Sequence, residues 1–121
     1  MNYYVTNNPM VVEKKNGKFH ADQLEFHDTD YLSILKTVRD KIHLGHRLIS
    51  HPLSGSIKPG QTPYKTIVLT SEKGGLHEES LHIIEESIST CLKLTKDLKV
   101  KDWHESVLLD FQLIDYDLIF N

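Results

Sequence analysis

A polar segment containing three prolines separates two short apolar runs in the middle of the chain. This proline loop, residues 50–64, reads SHPLSGSIKPGQTPY. Loops of this length without regular structure are uncommon in compact domains and tend to be functional or disordered. Because each proline ring restricts the backbone, we expect an ordered, functional loop.

Composition limits the fold and the classes of partner. The chain has 121 residues, of which 39% are apolar, and this suits a single domain over residues 1–121 with its own hydrophobic core. One cysteine excludes an internal disulfide, and a formal charge of −3 gives no general attraction for nucleic acid or an anionic membrane. The N-terminus shows no apolar export segment, and no run of about 18 apolar residues occurs. We therefore expect a soluble cytoplasmic protein that binds neither nucleic acid nor membrane.

Short β-prone runs alternate with amphipathic segments. The predicted strands are residues 3–6, 24–26, 46–50 and 65–70. Residues 10–12 fit either a short helix or a strand. Three helices are predicted from apolar spacing, the first capped by Asp28, Thr29 or Asp30 and ended by Gly45. Their apolar stripes are Tyr31, Leu35, Val38 and Ile42; then Leu81, Ile84, Ile88, Cys91 and Leu92; and then Trp103, Val107, Phe111, Ile114 and Leu118.

This alternation predicts an α/β fold. We expect a single small domain in which about four short strands form a partly parallel sheet with three helices packed on it. The helix that begins near residue 30 is a natural crossover between parallel strands. The strand order stays open. The direction of the fourth strand also stays open, because the proline loop is long enough for a crossover or a hairpin.

Polar clusters follow the first and third predicted strands. If these strands are parallel neighbours, their ends meet at the edge where open α/β sheets bind ligands. Backbone N–H groups and hydroxyls there could bind an anion, with a lysine adding positive charge. The predicted ligand-binding residues are Asn7, Asn8, His51, Ser54, Gly55, Ser56 and Lys58. The alternative is that the asparagines and the Ser-Gly-Ser sequence only form turns in a surface loop.

Other chemistries find little support. His77 and His82 are five residues apart, which places them about 140° from each other around a helix, so they cannot share a metal from one helix. Cys91 lies on an apolar stripe, where a lone thiol is usually an inert packing residue. The acids of the last helix, Asp110, Asp115 and Asp117, are predicted to form a solvated face. We predict no metal and no cofactor, and the catalytic residues stay unassigned.

Four segments resemble proteins of the GrdX family. They are residues 6–9 (TNNP), 50–59 (SHPLSGSIKP), 62–65 (TPYK) and 110–115 (DFQLID). The similarity spans nearly the whole chain. Members of this family are found with the genes of glycine, sarcosine and betaine reductases, the selenium-dependent systems of amino-acid-fermenting anaerobes. The resemblance therefore implies a pathway context and no catalytic residues, and the lone cysteine fits a protein that is not itself a redox subunit.

Two classes of function follow. The first is a non-catalytic accessory protein that binds a small anionic metabolite or a reductase subunit through residues 7–8 and 51–58. The second is a small enzyme in which His51 is the general acid or base and Ser54 or Ser56 positions the substrate. A solvent-exposed His51 imidazole would count against the enzyme. In both classes the apolar residues 117–121 either dock on the body or form a partner contact, such as a homodimer.

Overall fold

The described part of the chain forms three strands and four helices in the computed structural model. It comprises residues 1–15, 18, 23–55, 57–98 and 101–121. The elements, in chain order, are β1 (Asn2–Thr6), α1 (Pro9–Lys15), β2 (Leu24–Phe26), α2 (Tyr31–His43), β3 (Thr66–Thr70), α3 (Glu78–Thr95) and α4 (Glu105–Phe120).

Strand β1 is the centre of a mixed sheet with the order β2-β1-β3. It pairs in parallel with β2, where Val5 lies opposite Glu25, and antiparallel with β3, where Thr6 lies opposite Thr66. The end of β1 and the start of β3 therefore share one edge of the sheet, which we call the Thr6/Thr66 edge. The fourth predicted strand, whose direction the sequence left open, is thus antiparallel to the first.

Helices cover both faces of the sheet. Val5, Ile67 and Leu69 point to one face and are fully buried against α2 and α3 in the main hydrophobic core. On the opposite face, α4 contacts β3 and α1, and the Phe120 ring lies 5.2 Å from the ring of Tyr4. The predicted α/β fold with a partly parallel sheet is confirmed, with one strand fewer and one helix more than expected. The connection between the parallel strands contains α1, and not α2 as we predicted.

The additional helix, α1, begins directly after β1. Pro9 occupies its first position, where the missing N–H of proline is not needed by the helix. The side-chain oxygen of Asn8 accepts a hydrogen bond from the backbone N–H of Met10 at 3.0 Å and so caps the first turn.

Helix α2 follows its sequence pattern closely. Asp30 is the N-cap, and its carboxylate accepts a hydrogen bond from the Ser33 N–H at 2.8 Å. The predicted stripe is buried, together with Ile34. Gly45 lies directly after the C-cap residue Leu44 and has a φ of +108°, a conformation that side chains rarely adopt.

Helix α3 differs from its prediction at two positions. Its stripe is buried at Ile84, Ile88 and Cys91, but Leu92 is 49% exposed because one residue turns a helix by about 100° away from Cys91. His77 is the N-cap, and its ring nitrogen Nδ1 accepts a hydrogen bond from the Ser80 N–H. Histidine was not recognised as a cap because Ser, Thr, Asp and Asn dominate this position.

The third predicted strand, residues 46–50, is not a regular strand. Only an isolated antiparallel bridge joins Leu48 to Leu69. The carbonyl of Val68 accepts from both Ile49 and Ser50, while the Val68 N–H donates to the Ser50 hydroxyl at 2.8 Å. A side chain thus takes the place of a backbone acceptor, which breaks the ladder that a strand requires.

Helix α4 presents a different face from the one we predicted. Its buried residues are Asp115 and Tyr116, whereas Val107, Ile114 and Leu118 are 36–47% exposed. The apolar stripe is therefore mostly on the surface, and the solvated position predicted for Asp115 is wrong. The terminal residues do dock on the body, since Phe120 packs against both Tyr4 and Tyr116. Within the described residues, no helix has the length and apolar content needed to cross a bilayer.

A charged cluster links β1, β2 and α2 at the border of the main core. Glu25 accepts hydrogen bonds from the Tyr3 hydroxyl and from Lys41 Nζ at 2.7 Å, and its other oxygen lies 2.6 Å from Nε2 of His27. Partial burial acts to raise the pKa of Glu25, but the hydrogen bonds with His27, Lys41 and Tyr3 outweigh burial and lower the pKa from 4.5 to about 2. The carboxylate is therefore favoured in the folded state.

We expect Glu25→Gln to destabilise the fold in a pH-dependent way. Since the pKa is lowered on folding, the ionised group adds stability above pH 4.5 that is lost as the pH falls towards about 2. The lowered pKa corresponds to about 3 kcal/mol, which solvent screening of this partly exposed cluster reduces to about 1–2 kcal/mol at pH 7. Urea denaturation at several pH values measures this difference. The exposed Glu13→Gln variant is the control, and a Glu25 effect that persists unchanged at pH 2 would contradict the prediction.

Candidate ligand-binding site

The proline loop lies against the Thr6/Thr66 edge. It contacts the body of the protein both before and after residue 56. Pro52 and Pro59 are buried, and the Tyr31 hydroxyl donates to the carbonyl of Pro52 at 3.3 Å. Gly55 has a φ of +102°, and a Cβ there would lie 3.1 Å from the Leu118 side chain. A glycine at this position therefore allows the loop to approach α4 closely.

A cavity of about 280 Å³ lies between the proline loop and α4. Its size is at the lower end of the range for ligand pockets, so it suits a small metabolite. Its wall is mostly apolar with a few polar groups. The lining residues are Tyr31, Ser54, Gly55, Ile57, Thr62, Tyr64, Lys65, Phe111, Ile114, Asp115, Asp117 and Leu118.

Lys65 supplies the basic group among the described lining residues. Its residue is only 3% exposed, and Nζ donates to the carbonyl oxygen and the hydroxyl of Ser54 at 2.7 and 3.2 Å. Burial lowers the pKa of Lys65, and the negative charge of Asp115 opposes this effect. A buried amine whose hydrogen-bond acceptors are both neutral is well suited to meet a negative or electrophilic group in the cavity.

Asp115 joins α4 to the sheet edge. Its carboxylate accepts hydrogen bonds from the Thr66 N–H at 3.0 Å, from the Thr66 hydroxyl at 2.6 Å and from the Asn8 amide at 3.0 Å. Because Thr66 donates to Asp115, the Thr6 hydroxyl donates to Thr66 across a distance of 2.7 Å. Every buried side-chain nitrogen and oxygen in the described residues has a hydrogen-bond partner. Asp115 is therefore the buried acceptor for the polar groups of Thr66 and Asn8 at the Thr6/Thr66 edge.

The two asparagines support the cavity from behind. The Asn7 amide donates to the carbonyls of Thr29 and Pro63, and its oxygen accepts from the Lys65 N–H at 2.8 Å. The Asn8 amide donates to Gln112 and Asp115 of α4. Neither asparagine lines the cavity. Their contacts fix the backbone of Lys65 and the position of α4.

Comparison with known protein families identifies the family of this chain. A family model described as GrdX-like protein matches residues 3–121. The chain belongs to the GrdX-like family. No curated protein and no solved structure matches it. All of the cavity-lining residues lie inside the segment that the GrdX-like family model covers.

In this GrdX-like protein, the structure brings together only part of the predicted site. Ser54 and Gly55 line the cavity. His51 and Lys58 are exposed and lie outside its wall, and Nδ1 of His51 accepts a hydrogen bond from the Leu53 N–H at 3.0 Å. Ser56 lies outside the described residues. The ligand-binding roles of all seven residues remain predictions.

Sequence reasoning missed the lysine, the acid and the tyrosines of the GrdX-like cavity. Lys65 and Tyr64 directly follow the third proline, a position that we interpreted only as the start of a strand. Tyr64 is held from α4, because the Gln112 amide donates to its hydroxyl at 2.9 Å. The run Tyr64-Lys65-Thr66 was a useful signal. It places polar side chains at the start of a buried strand, where they need buried hydrogen-bond partners.

A second cavity, of about 270 Å³, shares Tyr31 and Thr62 with the first and is also lined by Cys91. Burial raises the pKa of the Cys91 thiol, and the charge of Asp30 acts in the same direction. A protonated thiol is a weak nucleophile, in agreement with a packing role. No group of three metal-binding side chains converges within the described ranges.

Proposed function

We propose that this protein is a non-catalytic accessory protein of glycine, sarcosine and betaine reductase systems, and that it binds a small anionic metabolite. Membership of the GrdX-like family supports the pathway context. The ligand would occupy the cavity between the proline loop and α4. The observation that carries this proposal is that Lys65 lines the cavity while the residue is only 3% exposed.

The charges of the cavity restrict the ligand. Asp115 and Asp117 line the same space as Lys65, so a large or multiply charged anion is disfavoured. The apolar side chains Ile57, Phe111 and Leu118 favour a ligand with little additional polarity. A compound with a single carboxylate meets both conditions, and Asp115 and Asp117 could in addition accept a cationic group on the ligand.

Ligand binding predicts a thermal shift that depends on Lys65. The screen contains glycine, sarcosine, betaine, acetyl phosphate, phosphate and nucleotides. A ligand present at one hundred times its Kd stabilises the folded state by about 2.7 kcal/mol and raises the Tm of a protein of this size by about 10 °C. We expect at least one small carboxylate to produce such a shift, and Lys65→Met to abolish it.

Two control variants locate the ligand. Lys58→Met removes an exposed lysine of the same loop and should leave the shift unchanged. His51→Ala tests whether the ligand binds instead at the exposed surface of the proline loop, where the sequence analysis predicted part of the site. Loss of the shift in His51→Ala, with retention in Lys65→Met, would place the ligand outside the cavity and contradict the proposal. The exposed imidazole of His51 argues against the alternative in which it acts as general acid or base.

A protein contact is the second part of the proposal. Val107, Leu109, Leu113, Ile114 and Leu118 of α4 are 36–50% exposed. Val107, Ile114 and Leu118 fall on one side of the helix, and exposed apolar surface of this kind usually marks a contact. Light scattering separates the two proposed occupants, because a homodimer doubles the mass of the isolated chain whereas a docking surface for reductase subunits leaves it monomeric. Pull-downs with reductase subunits then test the second case.

A further inference from the structure

The amine of Lys65 lacks a direct ion-pair partner among the described residues. The ion pairs found there involve other groups, and no carboxylate oxygen lies within 4.0 Å of Lys65 Nζ. Both of its acceptors are oxygens of Ser54, one a carbonyl and one a hydroxyl. Neither carries a charge that would hold the ammonium form in place.

The surroundings of Lys65 favour its neutral amine over the ammonium form more strongly than bulk water does. The residue is 3% exposed, and burial lowers the pKa of its amine despite the opposing charge of Asp115. A neutral amine has two N–H groups, which match the two oxygens of Ser54, and one lone pair that remains available. Desolvated lysines of this type are the ones that act as nucleophiles towards carbonyl carbons.

A second group on the cavity wall can supply a proton. The Tyr64 hydroxyl accepts a hydrogen bond from Nε2 of Gln112, so its own proton is free to point elsewhere. No acceptor for that proton occurs among the described residues, and Tyr64 lines the same cavity as Lys65. Tyr31, by contrast, already donates to the carbonyl of Pro52.

We propose that Lys65 condenses reversibly with a small oxo acid in this cavity to form an imine. This inference rests on the proposed function, since the carboxylate of the oxo acid would be the anionic group. The lone pair of Nζ attacks the carbonyl carbon, a C–N bond forms as the C=O π bond breaks, and the carbonyl oxygen takes the proton that the nitrogen loses, which gives a neutral carbinolamine. The hydroxyl then leaves as water with a proton from Tyr64, and the nitrogen returns a proton to Tyr64. The net change is amine plus carbonyl compound to imine plus water, without oxidation or reduction.

Reductive trapping tests this chemistry on the intact chain. The protein is incubated at pH 7 with glyoxylate and cyanoborohydride, and the modified lysines are identified by peptide mass mapping. Burial lowers the pKa of Lys65 and so enlarges the neutral, reactive fraction of its amine. We therefore expect Lys65 to be carboxymethylated several-fold faster than Lys58, which is exposed in the same loop and acts as the internal reference. Lys65→Arg keeps a cation but should lose the adduct.

Two further measurements separate this inference from binding alone. Glycolate resembles glyoxylate but has no carbonyl carbon that an amine can attack, so its thermal shift tests the proposed function by itself. Tyr64→Phe should slow trapping at Lys65 by at least about tenfold when glyoxylate saturates each protein. Labelling of Lys65 no faster than Lys58, together with a normal glycolate shift, would overturn the imine and leave the binding site standing. Absence of both would overturn the two proposals together.

Discussion

Asp115→Ala is expected to lower the free energy of unfolding by about 3–5 kcal/mol, because it leaves buried donors without an acceptor. The wild-type carboxylate accepts from the Thr66 N–H, the Thr66 hydroxyl and the Asn8 amide, and the residue is only 6% exposed. These bonds hold α4 against the Thr6/Thr66 edge. This loss is a large part of the total stability of a typical protein. If α4 detaches before the rest of the protein unfolds, we also expect a less cooperative unfolding transition.

Matched variants make the Asp115 result interpretable. Asp115→Asn keeps the shape and one acceptor oxygen, and should cost about 2 kcal/mol because its amide hydrogens face other donors. Asp110→Ala removes the same charge from an exposed position of α4 and should change stability by no more than about 0.5 kcal/mol. Urea denaturation of the three variants measures these differences. Equal effects of Asp115→Ala and Asp110→Ala would show that helix charge, and not the buried network, is responsible.

Gly45→Ala should have the second largest effect, about 3 kcal/mol, through backbone strain and a direct clash. Gly45 has a φ of +108°, and an added Cβ would lie 2.2 Å from the carbonyl oxygen of Gly74. The two backbones approach because the Gly74 N–H donates to the Gly45 carbonyl at 3.0 Å. Backbone atoms cannot swing aside as a flexible side chain can, so the strain must be relieved by moving the whole loop.

Gly75→Ala is the control for the Gly45 variant. A Cβ at Gly75 meets nothing within 4 Å, so the substitution should change the free energy of unfolding by no more than about 0.5 kcal/mol. Thermal denaturation should place Gly45→Ala about 12 °C below the wild type and Gly75→Ala close to it. Similar melting temperatures for the two variants would contradict the role of the close approach between Gly45 and Gly74.

The fold was predictable where local signals agree. In α2, an aspartate cap, an apolar stripe of helical period and a terminal glycine all act within one segment, and the structure has all three. The predicted third strand shows the opposite case. Its residues have strand propensity, but the Ser50 hydroxyl and the Ser80 hydroxyl take hydrogen bonds that a regular ladder would need. Those partners are 18 and 32 residues away along the chain, beyond the reach of local patterns.

The residues selected from the sequence overlap the cavity-lining residues only in part. The proline loop does border a cavity, and Ser54 and Gly55 line it. Lys65 and Asp115 were not selected, because a lysine at a strand start and an aspartate on a helix are usually solvated. Asp115 is buried through its contacts with Asn8 and Thr66, which are 107 and 49 residues distant in sequence.

The sequence by itself determined the α/β class, the positions of the main helices and the resemblance to the GrdX family. These properties depend on periodicity, caps, turn residues and short motifs, which act between neighbouring residues. Only the tertiary structure decided the strand order, the buried face of α4 and the placement of the Lys65 amine on a cavity wall. The reason is physical: a charged side chain becomes buried only when distant segments supply its hydrogen-bond partners and exclude water together, and no local pattern records that pairing.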